Sequence, residues 1–144
     1  MRIWREATAA KSFAGGEVVI CPHRWASETQ EERSIDGAKE RPCCLLLRLL
    51  DGTLIFLAIS SKPPRADQEA LEIPPIERRR AGLGKYPHAW AYISESNRDA
   101  DLGLSWYLEP QQPMGAFSQP FLAAVKSAFR QSVARGGKIV SRTV

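Results

Sequence analysis

Arg41-Pro42-Cys43-Cys44-Leu45-Leu46-Leu47-Arg48-Leu49-Leu50, then Asp51-Gly52, then Thr53-Leu54-Ile55-Phe56-Leu57-Ala58-Ile59-Ser60-Ser61 is the stretch that decides the fold. Two apolar runs flank an Asp-Gly pair. This predicts a β-hairpin with a two-residue type I′ turn, in which both central residues take φ > 0. The register follows from the turn: Leu50 opposite Thr53, Leu47 opposite Phe56, Cys43 opposite Ser60. Side chains alternate between the two faces of a strand. Arg41 and Ser60 therefore share a face, as diagonal neighbours about 7–8 Å apart. A permanent cation beside a hydroxyl, at the open end of a sheet, is a candidate phosphate site. The ordinary alternatives are a strand-edge Arg41 paired with Glu40 or Glu72, and a Ser60 that only shapes a turn.

The chain has 144 residues, enough for one domain with a real core. The expected organisation is a single domain over residues 1–144, with 1–15 as an N-terminal tail. The apolar fraction of 44% and charged fraction of 25% are those of an ordinary soluble protein. No apolar run approaches the ~20 residues that would cross a bilayer. Met1 to Phe13 lacks the apolar centre of a signal peptide, so a cytoplasmic protein away from membranes is expected. Three cysteines do not make a disulfide framework, and Cys43 and Cys44 point to opposite faces of one strand. Cys21 and His23 have no second ligand pair at metal-binding spacing. Neither a metal nor a cofactor is expected. A net charge of +4 and a pI near 9.2 favour a polyanion or an acidic protein as partner.

Around the hairpin, Glu17 to Cys21 reads as a short strand stopped by Pro22. Residues 23–40 are a long charged excursion. Ala70 to Ile73 and Ala89 to Ser94 read as strands. Pro74-Pro75 opens a short helix over Ile76 to Gly82. Residues 95–116 read mostly as loop, with a strand at Leu104 to Leu108. Gln119 to Ala134 is the best helix, capped by Ser118, with Leu122, Val125, Phe129 and Val133 as its apolar stripe. Lys138-Ile139-Val140 reads as a last strand. Short strands with turn signals and one amphipathic helix predict a small, strongly bent sheet or barrel of about five to seven strands.

Several segments, in order, resemble the PemK/MazF family of bacterial toxins. They are Gly16-Glu17-Val18-Val19; Gly37-Ala38-Lys39-Glu40-Arg41-Pro42 with the strand after it; Ala58-Ile59-Ser60-Ser61; Glu72-Ile73-Pro74 with Ala81-Gly82-Leu83; Trp90 with Glu95-Ser96-Asn97; and the final amphipathic helix. The likeness spans roughly residues 16–135. It implies an SH3-like barrel, a homodimer, and growth inhibition by metal-independent cutting of single-stranded RNA. It also implies an acidic antitoxin that occupies the RNA groove. The family's catalytic pair, the Arg of Arg-Pro and the Thr of Pro-Ile-Thr, matches Arg41 and Ser60. Ser60 stands where the family has threonine, and Ala58 where it has proline.

The implied chemistry is attack of a ribose 2′-OH on its own phosphate, leaving a 2′,3′-cyclic phosphate and a 5′-OH. Arg41 offers a planar fork to phosphate oxygens, and Ser60 a hydroxyl donor. Lys39, Ser61 and Lys62 flank the pair and are candidates for RNA binding, as are Arg78 and Arg79 on the short helix. The bland reading of Glu77-Arg78-Arg79-Arg80 is a solvated helix face. His23 and His88 are the only imidazoles. His23 borders the charged loop and is the outside candidate for a general base. Trp90 and Tyr92 read as core, Trp106 and Tyr107 as stacking candidates. Spare apolar surface at Leu104, Trp106, Leu108 and Phe117 favours a homodimer with an isologous contact, whose residues the sequence does not give. The competing function is the same barrel without activity, a module holding nucleic acid or an acidic partner.

Overall fold

The computed structural model describes residues 14–22, 40–100 and 112–141. Among these lie eight strands and two helices. The strands are β1 (Glu17–Pro22), β2 (Glu40–Arg48), β3 (Thr53–Ser60), β4 (Ala70–Glu72), β5 (Trp90–Tyr92), β6 (Glu95–Ala100), β7 (Gly115–Ala116) and β8 (Lys138–Ser141). The helices are α1 (Pro75–Arg80) and α2 (Gln119–Ala134). The sheet runs β4-β5-β3-β2-β1-β7, with β6 paired to β3 and β8 to β6. All pairs are antiparallel except β6–β8. The fold is mainly β with two helices. The described pairings leave the sheet open.

The hairpin forms, but with a different turn. Gly52 N–H donates to Leu49 O at 2.9 Å, and Leu49 N–H donates to Thr53 O at 2.8 Å. Gly52 alone takes the left-handed conformation, at φ 92°, and Asp51 keeps a negative φ. The result is a three-residue loop, Leu50-Asp51-Gly52, built as a type I turn followed by a left-handed glycine. It moves the strain from Asp51, which has a Cβ, onto Gly52, which has none. Asp51 serves instead as an acceptor, its Oδ1 taking Thr53 N–H at 2.9 Å. A second irregularity falls between Leu45 and Leu47. Each slips the register by one residue, so Cys43 lies opposite Ala58 rather than Ser60. Two single slips restore the facing of every side chain beyond them.

β3 is shared between two directions of the sheet. Thr53 to Phe56 pair with β6, whereas Ile59 and Ser60 pair with β5. Both faces of the sheet are buried around it. One carries Cys44, Leu46, Leu57 and Ile59 against Leu122, Val125 and Phe129 of α2. The other carries Val19, Cys21, Cys43, Leu45, Leu54 and Phe56. Cys43 and Cys44 thus separate to opposite sides, as alternation requires.

Burial pushes the Cys44 thiol up to about 12 from an ordinary 9.0, with Lys126 pulling it slightly back. The folded state keeps the thiol protonated while the unfolded chain ionises it. Its contribution to stability is therefore full below pH 9 and declines as pH rises toward 12. The loss by pH 12 is on the order of 4 kcal/mol. Urea midpoints measured from pH 8 upward should fall more steeply for the wild type than for Cys44→Ala. Parallel profiles would rule this out.

α2 matches its expected span, and Ser118 Oγ accepts Phe121 N–H at 3.3 Å as its cap. Glu77 of α1 is buried and braces that cap. Its carboxylate accepts Ser118 N–H at 2.9 Å and the Ser118 hydroxyl at 2.6 Å. The stripe ends differently than expected. Val133 is 40% exposed, and Ser132 is the buried residue of that turn. Ser132 faces a polar partner, its Oγ donating to Glu69 Oε1 at 3.4 Å. Phe117 is no spare surface: it is buried in the core against the edge of Phe121, ring centroids 5.0 Å apart. Leu104, Trp106, Tyr107 and Leu108 lie outside the described residues. β6 falls where a loop was expected, because pairing to β3 and β8 outweighs the poor strand propensity of Glu-Ser-Asn-Arg-Asp-Ala. No helix among the described residues is long and apolar enough to cross a membrane.

Candidate functional site

Two short rows of cross-strand partners lie at one end of the sheet. Cys21 on β1 is the direct partner of Arg41 on β2. Ser60 on β3 is the direct partner of Trp90 on β5, and Trp90 of Glu72 on β4. The β2–β3 pairing ends at Cys43–Ala58, and Arg41 and Ser60 each lie two residues beyond it. Direct antiparallel partners point to the same face. Cys21 and Arg41 thus share a face, as do Ser60, Trp90 and Glu72. The hairpin pattern predicts a diagonal relation for Arg41 and Ser60. The two register slips shift the ladder in the direction that reduces their offset.

Arg41 is half-buried, with its Nε sealed from solvent. Ser60 is half-buried at the end of β3, and its Oγ accepts Lys62 N–H at 3.1 Å. That bond turns the chain back after the strand. It leaves the hydroxyl hydrogen of Ser60 to donate elsewhere. Tyr92 holds the returning loop by donating its hydroxyl to Lys62 O at 2.7 Å. Burial raises the Tyr92 phenol above its ordinary value, and the Arg65 and Arg41 guanidinium charges pull it partly back. Two cations therefore act on this one hydroxyl. Arg65 is also tied to Asp67 at 3.3 Å on the open surface.

Arg41 and Ser60 line one depression of about 290 Å³ with Glu40, Pro42, Ser61 and Lys62. Ile59, Tyr86 and Ala89 complete its wall. Ile59 and Ala89 belong to the α2 side of the sheet. The depression thus wraps around the strand ends rather than lying flat on one face. Among the sequence-derived candidates, Arg41, Ser60, Ser61 and Lys62 come together here. Arg78 does not: its guanidinium donates to Ile73 O at 2.8 Å and lines a separate depression with Glu72, Pro87 and His88. Arg79 is exposed on α1 and touches neither. Lys39 and His23 lie outside the described residues.

Sequence reasoning left His88 unplaced and assigned Trp90 to the core. His88 Nδ1 lies 3.2 Å from Glu72 Oε2. Its ring runs nearly parallel to Trp90, 25° apart with centroids 6.0 Å apart. Trp90 is half-buried and joins neither apolar cluster among the described residues. The period-2 pattern of Glu72, then His88 and Trp90, carries the signal, but only once the β4–β5 pairing is known.

The depression can hold an anion. It offers the Arg41 guanidinium, the Ser60 hydroxyl and Lys62 at one concave end. The chain matches no protein-family model, no curated protein and no solved structure.

Proposed function

We propose that this chain is a toxin-like, metal-independent endoribonuclease of single-stranded RNA, with an SH3-like architecture of the PemK/MazF kind. The observation that supports the reading is the meeting of Arg41 and Ser60 in one depression with Ser61 and Lys62. In this reading the 2′-oxygen forms a bond to phosphorus and the bond from phosphorus to the 5′-oxygen breaks. The 2′-hydroxyl proton leaves to a base, and the departing 5′-oxygen gains a proton. Negative charge grows on the non-bridging oxygens, where the Arg41 fork and the Ser60 hydroxyl meet it. Lys62 and Ser61 hold the flanking backbone. A homodimer, a cytoplasmic setting and an acidic antitoxin that covers the basic end belong to the same proposal.

The test is incubation of purified protein with single-stranded RNA in the presence of a chelator, followed by identification of the product ends. Cleavage to 2′,3′-cyclic phosphate and 5′-OH ends is expected. No cleavage, or 3′-OH and 5′-phosphate ends, rejects it. The second reading is an inactive binding module. It is favoured by the Ser60 hydroxyl already accepting Lys62 N–H, which is all that a structural turn serine needs.

A further inference from the structure

We infer that Trp90, flanked by His88, is the stacking platform for a nucleobase of the strand whose phosphate sits at Arg41 and Ser60. This rests on the reading of that pair as a phosphodiester site. Trp90 is the direct cross-strand partner of Ser60. Their Cβ atoms are therefore about 4.5–5.5 Å apart on one face. A base attached to a phosphate at Ser60 meets the indole next. Single-stranded nucleic acid is held this way, by a basic track along the backbone with aromatic rings beside it. The basic track here is Arg41 and Lys62.

Three further observations favour a platform over a core residue. Among the described residues Trp90 joins neither apolar cluster and is half-buried, whereas its neighbours Ala91 and Tyr92 are buried. The ring of His88 lies near-parallel to the indole, and its side chain is 64% exposed. Glu72 holds that imidazole by Nδ1 and is itself the other direct partner of Trp90. The three side chains form a preset surface that needs no rearrangement to receive a flat, electron-rich ring. A stacking face has no hydrogen-bond code, so the subsite tolerates different bases.

The test measures binding of full-length protein to a single-stranded RNA oligonucleotide, and to matched oligonucleotides carrying one abasic nucleotide at each position in turn. Trp90→Ala should bind roughly 5- to 100-fold more weakly. Trp90→Phe should retain most of the affinity, whereas Trp90→Leu, which fills space without a π face, should not. One abasic position should weaken the wild type by a similar factor and leave Trp90→Ala unaffected. The salt dependence of Trp90→Leu should match the wild type, since its phosphate contacts are intact. Wild-type affinity in Trp90→Leu, or indifference of the wild type to every abasic position, overturns the platform alone. Failure of the wild type to bind single-stranded RNA overturns the platform and the phosphate site together.

Discussion

Arg41→Ala is expected to lower RNA cleavage by at least ~10²–10³-fold, the usual cost of losing one donor that meets charge in the transition state. The fall should appear in kcat more than in KM, because Lys62 and Ser61 still hold the ground-state backbone. Arg41→Lys should not restore activity. A lysine is a point charge and cannot offer two parallel N–H groups to two phosphate oxygens. Ser60→Thr should keep activity, since it retains the hydroxyl. Ser60→Ala should lower it, and it should also loosen the chain after β3, whose Lys62 N–H loses its acceptor. Thermal melting keeps the effects on chemistry and on folding apart: each variant is assayed well below its own melting midpoint, where loss of cleavage reports on the reaction. Equal cleavage by wild type and Arg41→Ala would leave the binding-module reading standing in its place.

The largest effect on stability is expected at Gly82, where two independent penalties coincide. Its φ is +77°, and an added Cβ would lie 2.4 Å from Met114 O. The reverse approach is just as close: a Cβ on Gly115 would lie 2.2 Å from Arg80 O. The turn after α1 and strand β7 therefore meet backbone to backbone. The left-handed conformation alone costs a residue with a Cβ about 1–2 kcal/mol, and overpacking adds roughly 1–3 kcal/mol. Gly82→Ala should thus lose about 2–5 kcal/mol, a large share of the total stability of a domain this size. Gly136 is the internal control, with φ +97° and nothing within 4 Å of an added Cβ. Gly136→Ala should lose only the conformational part. Urea unfolding of both variants measures the difference. Equal losses would mean that β7 moves aside at no cost.

The strands that could be read from the chain are those whose own residues carry the signal. β2 and β3 are apolar runs bounded by turn chemistry, and α2 has a cap and a 3.6-residue stripe. β6 and β7 carry none. Glu95 to Ala100 is polar, and its Ser96, Asn97 and Asp99 are buried only because β3 and β8 lie on either side. Gly115-Ala116 is a strand only because β1 lies beside it. Val133 and Ser132 show the same limit inside a helix. Both fit the helical period, and the polar partner Glu69, sixty-three residues away in sequence, decides which of them faces inward.

The sequence by itself determined that Arg41 and Ser60 share a face, because alternation has a period of two and the Asp51-Gly52 turn limits the registers. It did not determine the register that brings them into one depression. That depends on where the backbone places its left-handed residue and where it bulges, at Gly52 and between Leu45 and Leu47. Both choices trade local strain against the packing of two cores, one on each side of β3. Only tertiary pairing brought Trp90, His88 and Glu72 beside the pair, since β4 and β5 are separated in the chain by α1 and its turn. Rows of cross-strand partners are a property of pairing, and no single segment of the chain contains them.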